Sequence, residues 1–229
     1  MMKLKVAQVG TKYTYKYAIY CVDKRKEISF WHDVPLFNLL NKLNFVCEIP
    51  RNTRAKMEVA IDEDNTPIKQ DVTKDGKLRY YPYNIKWNYG MLPQTWEDPS
   101  HTWSEIGGLP GDGDPLDVIE ISRDVKCEIG HIYAVKVVGA LALIDEGEVD
   151  WKILAIRCDS ANSAYVNDVD DIDRVYPGAL KSIKDWFRNY KVPAGKPPNT
   201  FGLHGRALTA SDAMNIVDIG HNLYREKQT

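Results

Sequence analysis

The chain has 229 residues, which is enough to bury a sizeable core within one domain, 1–229. Its formal net charge of -2 argues against a general binder of nucleic acid or of anionic membranes. No apolar stretch is long enough to span a membrane or to serve as a signal peptide. The four cysteines are scattered, without a Cys-x-x-Cys pair, which predicts reduced thiols in a cytoplasmic protein.

The first two thirds of the chain predict β-structure. Short runs rich in β-branched and aromatic residues alternate with turns, of which 74–77 (Lys-Asp-Gly-Lys) is a typical hairpin connection. Segment 36–43 is predicted to form at least one helical turn. The predicted strands are 13–22, 27–31, 44–49, 56–61, 68–72, 78–81, 116–121, 131–143 and 151–156.

Helices are predicted near the end of the chain. The first, 176–189, has Pro177 near its first position and apolar residues at helical spacing. The second, 209–225, has Thr209 or Ser211 as its N-cap. Strands followed by helices predict the α+β class, with a small barrel and helices packed outside it.

The densest polar feature is the run Gly-Asp-Gly-Asp-Pro-Leu-Asp, which places Asp112, Asp114 and Asp117 close together. Pro115 excludes a helix interior here. Two carboxylates ~4 Å apart repel by about 1 kcal/mol in water and about 4 kcal/mol at an effective dielectric near 20. A hard divalent cation would relieve that repulsion. The alternative is a solvated acidic turn; an EF-hand loop is a poor match, because Arg123 stands where its last glutamate is needed.

Acidic and basic residues alternate on one strand face at two further places. Lys56 and Glu58 are two apart, as are Asp150 and Lys152, whose intervening Trp151 points to the other face. Such pairs are either surface salt bridges of little energetic weight or phosphate-binding lysines beside metal-binding acids. The candidate set comprises carboxylates at 58, 112, 114, 117, 145 and 150, cations at 56, 79, 152 and 191, and phenols at 89 and 190.

Together these segments resemble the soluble family I inorganic pyrophosphatases, most nearly the eukaryotic branch. The resemblance runs in order from about Glu27 to Thr200. The motifs that carry it are Asp112-Gly-Asp-Pro-Leu-Asp-Val118; Glu48-Ile-Pro-Arg51 with Lys56 and Glu58; Asn88-Tyr-Gly90; Pro93-Gln-Thr-Trp-Glu-Asp98; Asp145-Glu-Gly-Glu-Val-Asp-Trp-Lys152; and Trp186-Phe187 with Tyr190-Lys191.

The resemblance implies a fold and an activity. The fold would be a closed five-stranded β-barrel of the OB type with peripheral helices. The activity would be magnesium-dependent hydrolysis of pyrophosphate to two orthophosphates, by in-line attack of a metal-bridged water with several Mg²⁺ ions in the site. That reaction needs neutralised phosphoryl oxygens and an activated water, which the acids and cations above are suited to supply.

The resemblance also implies roles for individual residues. On the metal side, Asp114 would be the general base, Asp112, Asp117 and Asp150 would hold the first magnesium, Asp117 would also touch the second, and Asp145, Asp150 and Glu58 would recruit metal carried by the substrate. On the phosphate side, Arg79, Tyr190 and Lys191 would bind one phosphate, Lys56, Tyr89 and Lys152 would bind or protonate the other, and Glu48 and Asp71 would support the site from behind.

Two departures and two alternatives remain open. Asn52 stands where eukaryotic relatives usually have a tryptophan linked to their homodimer contact, and the segment 79–89 is shorter than theirs. One alternative is an OB-like binder of single-stranded nucleic acid that stacks bases on Tyr80, Tyr81, Tyr83 and Trp87. The other is a calcium-binding domain without turnover.

Overall fold

The computed structural model describes residues 4–40 and 42–228 and consists of mixed β-sheets with a few helices, which confirms the α+β prediction. The strands are β1 (Lys5–Val9), β2 (Ala18–Asp23), β3 (Lys26–Ile28), β4 (Leu43–Ile49), β5 (Met57–Val59), β6 (Ile68–Gln70), β7 (Asn88–Met91), β8 (Thr102–Trp103), β9 (Leu109–Pro110), β10 (Asp117–Glu120), β11 (Ile132–Asp145), β12 (Glu148–Arg157) and β13 (Thr200–Phe201). The α-helices are α1 (Val169–Val175), α2 (Ala179–Asn189) and α3 (Ala210–Lys227).

The largest sheet returns on itself. Strand β12 pairs with β10, β10 with β7, β7 with β4 and β4 with β11, while β11 also pairs with β12. Gly90 permits the close approach of β7 to β4, because a Cβ there would collide with the backbone of Val46 and Glu48. These strands carry Tyr89, Asp117 and Lys152 toward one side of the molecule.

A second sheet contains β1, β2, β3, β5 and β6 and brings Lys56 and Glu58 to the first. The two sheets are tied by Glu48, a buried residue near the end of β4, whose carboxylate accepts a 2.7 Å hydrogen bond from the Val59 amide. Because this bond joins β4 to β5, Glu48 fixes how the smaller sheet approaches the larger one.

The helices cover the large sheet with apolar side chains. Helix α2 buries Ile183, Trp186 and Phe187, the residues whose spacing predicted it. Helix α3 packs along β11, and its N-cap is Thr209, as predicted, which accepts a hydrogen bond from Asp212. No helix within the described residues is both long and apolar enough to cross a membrane.

Some local predictions were wrong. Helix α2 starts at Ala179 rather than 176, because Gly178 adopts a left-handed φ of 75° immediately before it. Helix α1, capped by a reciprocal pair of hydrogen bonds between Asp168 and Asp171, was not predicted. In the segment 36–43 the residues on either side of 41, which lies outside the described residues, form turns and a bridge instead of a helix.

Candidate active site

The acidic loop is held in a defined shape by its own backbone and by a neighbouring segment. The Asp112 carboxylate accepts a 3.0 Å hydrogen bond from the Asp114 amide, across Gly113, whose φ is 92°. The backbone of Glu97 binds this loop twice, since its amide donates to the Asp114 carbonyl and its carbonyl accepts from the Gly113 amide, both at 2.9 Å. The chain then enters β10 at Asp117.

Strand register brings the second acid and base pair beside the loop. Asp117 in β10 lies directly opposite Lys152 in the parallel strand β12. Lys152 is 2% exposed and donates hydrogen bonds to Asp117, to both oxygens of Asp150 at 2.5 and 2.6 Å, and to the Tyr89 hydroxyl at 2.8 Å. Tyr89 in turn donates to Asp117 and stacks on Phe187. Lys152 is therefore a buried cation shared by two carboxylates.

A third group of residues arrives from the smaller sheet. Lys56 donates to Glu58 at 2.5 Å and to Asp71 at 2.8 Å, and Arg79 donates to the same Asp71 oxygen at 2.7 Å. Asp71 thus holds two cations side by side. The two cations point toward the same cavity as the acidic loop.

The last group comes from the end of α2 and the hairpin between β11 and β12. Because α2 ends at Asn189, Tyr190 and Lys191 follow directly on its C-terminus. The Tyr190 hydroxyl donates to Asp145 at 3.1 Å, and Lys191 forms an ion pair with the same carboxylate. Asp145 is positioned by a tight turn in which Glu146 and Gly147 both have positive φ, as a two-residue hairpin requires.

All the residues proposed from the sequence line one cavity of about 560 Å³. We call Asp112, Asp114, Asp117 and Asp150 the acidic wall, and Lys56, Arg79, Tyr190 and Lys191 the basic wall. Lys152 and Tyr89 lie between the two, and Glu58 and Asp145 extend the set of carboxylates. The lining residues that were predicted are Glu48, Lys56, Glu58, Asp71, Arg79, Tyr89, Asp112, Asp114, Asp117, Asp145, Asp150, Lys152, Tyr190 and Lys191.

The acidic wall carries more negative charge than its cations balance. Burial and repulsion from Asp114 raise the pKa of Asp112 to about 7. Asp114 is open to the cavity but is otherwise surrounded by protein. This partial burial, together with repulsion from Asp117, raises the pKa of Asp114 to about 7. Burial also raises the pKa of Asp150 in spite of Lys152. Burial lowers the pKa of the Lys152 ammonium, but Asp117 and Asp150 outweigh it and raise the pKa overall.

Asp71, which pairs with Lys56 and Arg79 of the basic wall, behaves in the opposite way. Burial acts to raise the pKa of Asp71, but Lys56 and Arg79 outweigh it, so this pKa is lowered. The phenols of Tyr89 and Tyr190 have raised pKa values, chiefly because they are buried. They therefore stay protonated near neutral pH and can donate hydrogen bonds to an anion.

The sequence reasoning missed Glu97. Its buried carboxylate accepts from the Trp151 amide at 3.1 and 3.2 Å, and it has an oxygen atom within 4.8 Å of the ligand atoms of Asp112 and Asp150. Burial, with Asp112 and Asp150 nearby, raises its pKa. Glu97 lies inside the motif 93–98, which was the only signal for it in the sequence. Its role depends on a contact with Trp151, a residue 54 positions away.

The donor set matches a hard divalent cation. The clustered side chains offer only carboxylate oxygens, without histidine or cysteine, and the acidic wall lacks the positive charge needed to ionise fully. Magnesium favours such oxygen ligands and keeps part of its water shell in an open cavity. The residues present therefore fit Mg²⁺.

The stacking surface that the nucleic-acid alternative requires does not form from these four residues. Tyr80 and Tyr83 are 40% and 62% exposed, but Tyr81 and Trp87 are each only 4% exposed, so the four rings do not share an accessible face. Stacking of successive bases needs such a face.

The chain is similar to known pyrophosphatases over nearly its whole length. Residues 45–225 match the family model described as inorganic pyrophosphatase. Soluble inorganic pyrophosphatase 6, chloroplastic, of Arabidopsis thaliana is 52% identical over 216 residues, which are 94% of this chain and 71% of that protein.

Solved structures give the same result. The type I inorganic pyrophosphatase of Toxoplasma gondii superposes with a TM-score of 0.93 at 42% identity, covering 97% of this chain and 99% of that one. An N-terminally truncated vacuolar soluble pyrophosphatase of Trypanosoma cruzi, in complex with PPi, has a TM-score of 0.95 at 35% identity, covering 100% of this chain and 92% of that one. The chain belongs to the inorganic pyrophosphatase family.

Proposed function

We propose that the chain hydrolyses inorganic pyrophosphate to two orthophosphates. The observation that carries this proposal is the cavity in which the acidic wall faces the basic wall. Two linked phosphates carry negative charge along their whole length, so they need cations on one side and metal-compensated carboxylates on the other. The names of the relatives and the PPi in the Trypanosoma cruzi complex support this choice of substrate.

We assign Mg²⁺ to the acidic wall, with several ions in the site. Asp112, Asp117 and Asp150 would hold the first ion, Asp117 would also reach the second, and Asp145 and Glu58 would receive metal that arrives with the substrate. When bound, these ions would lower the pKa of the attacking water and screen the phosphoryl oxygens. The shortage of positive charge among the carboxylates supports the assignment.

The other side chains of the cavity activate the water and bind the two phosphates. Asp114 takes a proton from the water whose oxygen forms the new bond to phosphorus, while the bond to the bridging oxygen breaks. Arg79, Tyr190 and Lys191 bind one phosphate. Lys56, Tyr89 and Lys152 bind the other and help to protonate it.

Two supporting residues hold this arrangement in place. Asp71 keeps Lys56 and Arg79 together through hydrogen bonds of 2.8 and 2.7 Å. Glu48 joins β4 to β5 and so helps to position Lys56 and Glu58 against the larger sheet. Their role is to orient the groups that touch the substrate.

We also propose that the ring of paired strands β4, β7, β10, β11 and β12 is a closed barrel of the OB type, and that residues 1–229 form one domain. The pairings that join these strands in a cycle support the barrel. Closure would matter for function because it removes sheet edges and holds Tyr89, Asp117 and Lys152 on a rigid wall.

A phosphate-release assay with Mg²⁺, with Ca²⁺ and without metal tests the proposed function. Phosphate release is expected with Mg²⁺ but not with Ca²⁺ or without metal. Ca²⁺ should not replace Mg²⁺, because it accepts looser coordination than the octahedral geometry of magnesium. A calcium-binding domain without turnover would release no phosphate under any condition. Release that is equally fast without metal would contradict the metal assignment.

Compartment and assembly stay predictions. The four cysteines are unpaired, which supports a reducing compartment such as the cytoplasm, although the Arabidopsis relative is named as chloroplastic. The predicted homodimer is tested by sedimentation at several protein concentrations. Asn52, at the position linked to the dimer contact in relatives, has a left-handed φ of 66°.

A further inference from the structure

Tyr81 reaches the cavity by strand-like alternation. The Lys56 amide donates to the Arg79 carbonyl at 3.1 Å, and the Tyr81 amide donates to the Arg54 carbonyl at 2.7 Å, so the segment 79–81 runs antiparallel to 54–56. Alternate side chains then point to opposite faces. Arg79 and Tyr81 both line the cavity, whereas Tyr80 between them is 40% exposed.

Aromatic neighbours hold the Tyr81 ring in one orientation. It contacts Trp186 edge-on, with ring centroids 4.8 Å apart and planes at 79°, and Tyr190 at 5.6 Å and 82°. Trp186 and Tyr190 themselves stack at 5.3 Å. The Tyr81 side chain is therefore positioned before any ligand binds, next to a phenol of the basic wall.

The hydroxyl group of Tyr81 lacks a protein partner although the residue is only 4% exposed. Its oxygen makes no hydrogen bond to a residue in the ranges 4–40 and 42–228 and is open to the cavity rather than sealed in the core. Its neighbours in the cavity include the Lys56–Glu58 and the Lys152–Asp117 ion pairs, which all act on the charge of this phenol. Burial raises its pKa, so it remains a donor.

We propose that Tyr81 is a further substrate-binding residue, whose hydroxyl group donates a hydrogen bond to a phosphate oxygen of the diphosphate substrate beside Lys56 and Tyr190. The proposal rests on the proposed function, and it adds a third phenol to Tyr89 and Tyr190. An anion oxygen in the cavity would satisfy the unpartnered hydroxyl.

The test is Tyr81→Phe, which keeps the ring and its packing and removes only the hydroxyl group. The matched control is Tyr80→Phe, which removes a hydroxyl from the neighbouring residue outside the cavity. For each protein we would measure steady-state phosphate release and, by calorimetry with Mg²⁺ present, the Kd of methylenediphosphonate, a diphosphate analogue that cannot be hydrolysed. Thermal melting and Mg²⁺ affinity report whether the fold and the acidic wall are intact.

Tyr81→Phe should raise KM and the Kd of the analogue by about tenfold, which corresponds to one hydrogen bond to a charged group. Its Tm and Mg²⁺ affinity should equal those of Tyr80→Phe. A Kd and KM equal to the control in an active enzyme would overturn the role of Tyr81 alone. A wild-type protein that releases no phosphate would overturn the proposed function instead.

Discussion

The two walls of the cavity differ in how their charges are balanced. In the basic wall each cation has its counter-ion, since Asp71 holds Lys56 and Arg79 and Asp145 holds Lys191. In the acidic wall Lys152 is shared by Asp117 and Asp150, and among residues 4–40 and 42–228 no ion pair compensates Asp112 or Asp114. The pKa of Asp71 is accordingly lowered, whereas those of Asp112 and Asp114 are raised to about 7.

The charges of the basic wall are balanced within the protein, whereas the acidic wall requires added positive charge. The lysines and arginine are fixed by carboxylates, so they are already oriented when an anion arrives. The acidic wall keeps protons that a divalent cation would have to displace. Changes in the acidic wall should therefore affect metal binding and chemistry, whereas changes in the basic wall should affect substrate binding.

The largest effect should follow from Asp114→Asn. The amide cannot accept the proton of the attacking water, so kcat should fall by about 10²–10⁴-fold, the usual contribution of a general base. The protein should remain folded and should bind Mg²⁺ at least in part. The control is Asp64→Asn, at an exposed acid away from the cavity, which should leave kcat unchanged. A variant at position 114 with near wild-type turnover would remove Asp114 as the base.

Lys152→Met should reveal how strongly the acidic wall depends on its one buried cation. Removing it leaves Asp117 and Asp150 without their partner, so the free energy of unfolding of the metal-free protein should fall by about 3–5 kcal/mol. Added Mg²⁺ should restore part of that loss. The loss is measured by urea denaturation with and without metal.

Lys181→Met is the control for Lys152→Met. It breaks an exposed ion pair with Asp185 on α2 and should change the free energy of unfolding by less than about 0.5 kcal/mol. If the two substitutions lower the free energy of unfolding equally, the buried cation stabilises the protein no more than an exposed one does.

In the basic wall, Arg79→Ala should weaken substrate binding and leave metal binding intact. Loss of a charged hydrogen-bond donor should raise KM by about 10–100-fold. Arg54→Ala, which removes a nearby exposed guanidinium that lies over Tyr80, should not. An unchanged KM in Arg79→Ala would exclude this residue from the phosphate site, and a loss of Mg²⁺ affinity would contradict the separation of the walls.

Mg²⁺ affinity should also depend on pH. Asp112 and Asp114, with pKa values raised to about 7, hold protons below that pH, and a cation must displace them. Affinity should therefore increase as the pH rises toward about 7 and level off above it, changing by about tenfold per pH unit for each proton displaced. Asp114→Asn should flatten the profile. A Mg²⁺ affinity that is constant from about pH 5 to pH 8 would contradict the raised pKa values of Asp112 and Asp114.

The acidic wall was the easier half to predict. Asp112, Asp114 and Asp117 lie within six positions, and their repulsion alone points to a cation. The basic wall joins residues far apart in the chain, such as Asp145 and Lys191, so only the family resemblance placed them together. Glu97 was not singled out, because it acts through the Trp151 backbone. Tyr81 was considered only for base stacking, because its place in the cavity depends on alternation in a segment that forms bridges rather than a strand.

The fold was predictable where the pattern of apolar residues decides it. Strand β12 and helix α2 bury the residues that indicated them, including Trp151 and Phe187. Strand β1 was not predicted, because it is largely exposed and is held by pairing with β2 instead of by burial. The start of α2 was misplaced because a left-handed Gly178 decides it, and that conformation is local.

The most direct test is a crystal structure with Mn²⁺ in place of Mg²⁺ and with methylenediphosphonate, in which anomalous scattering locates the metal. The predicted result is metal among Asp112, Asp117 and Asp150, with the analogue between it and Lys56, Arg79 and Lys191. Metal bound elsewhere, or an analogue that contacts neither wall, would contradict the account.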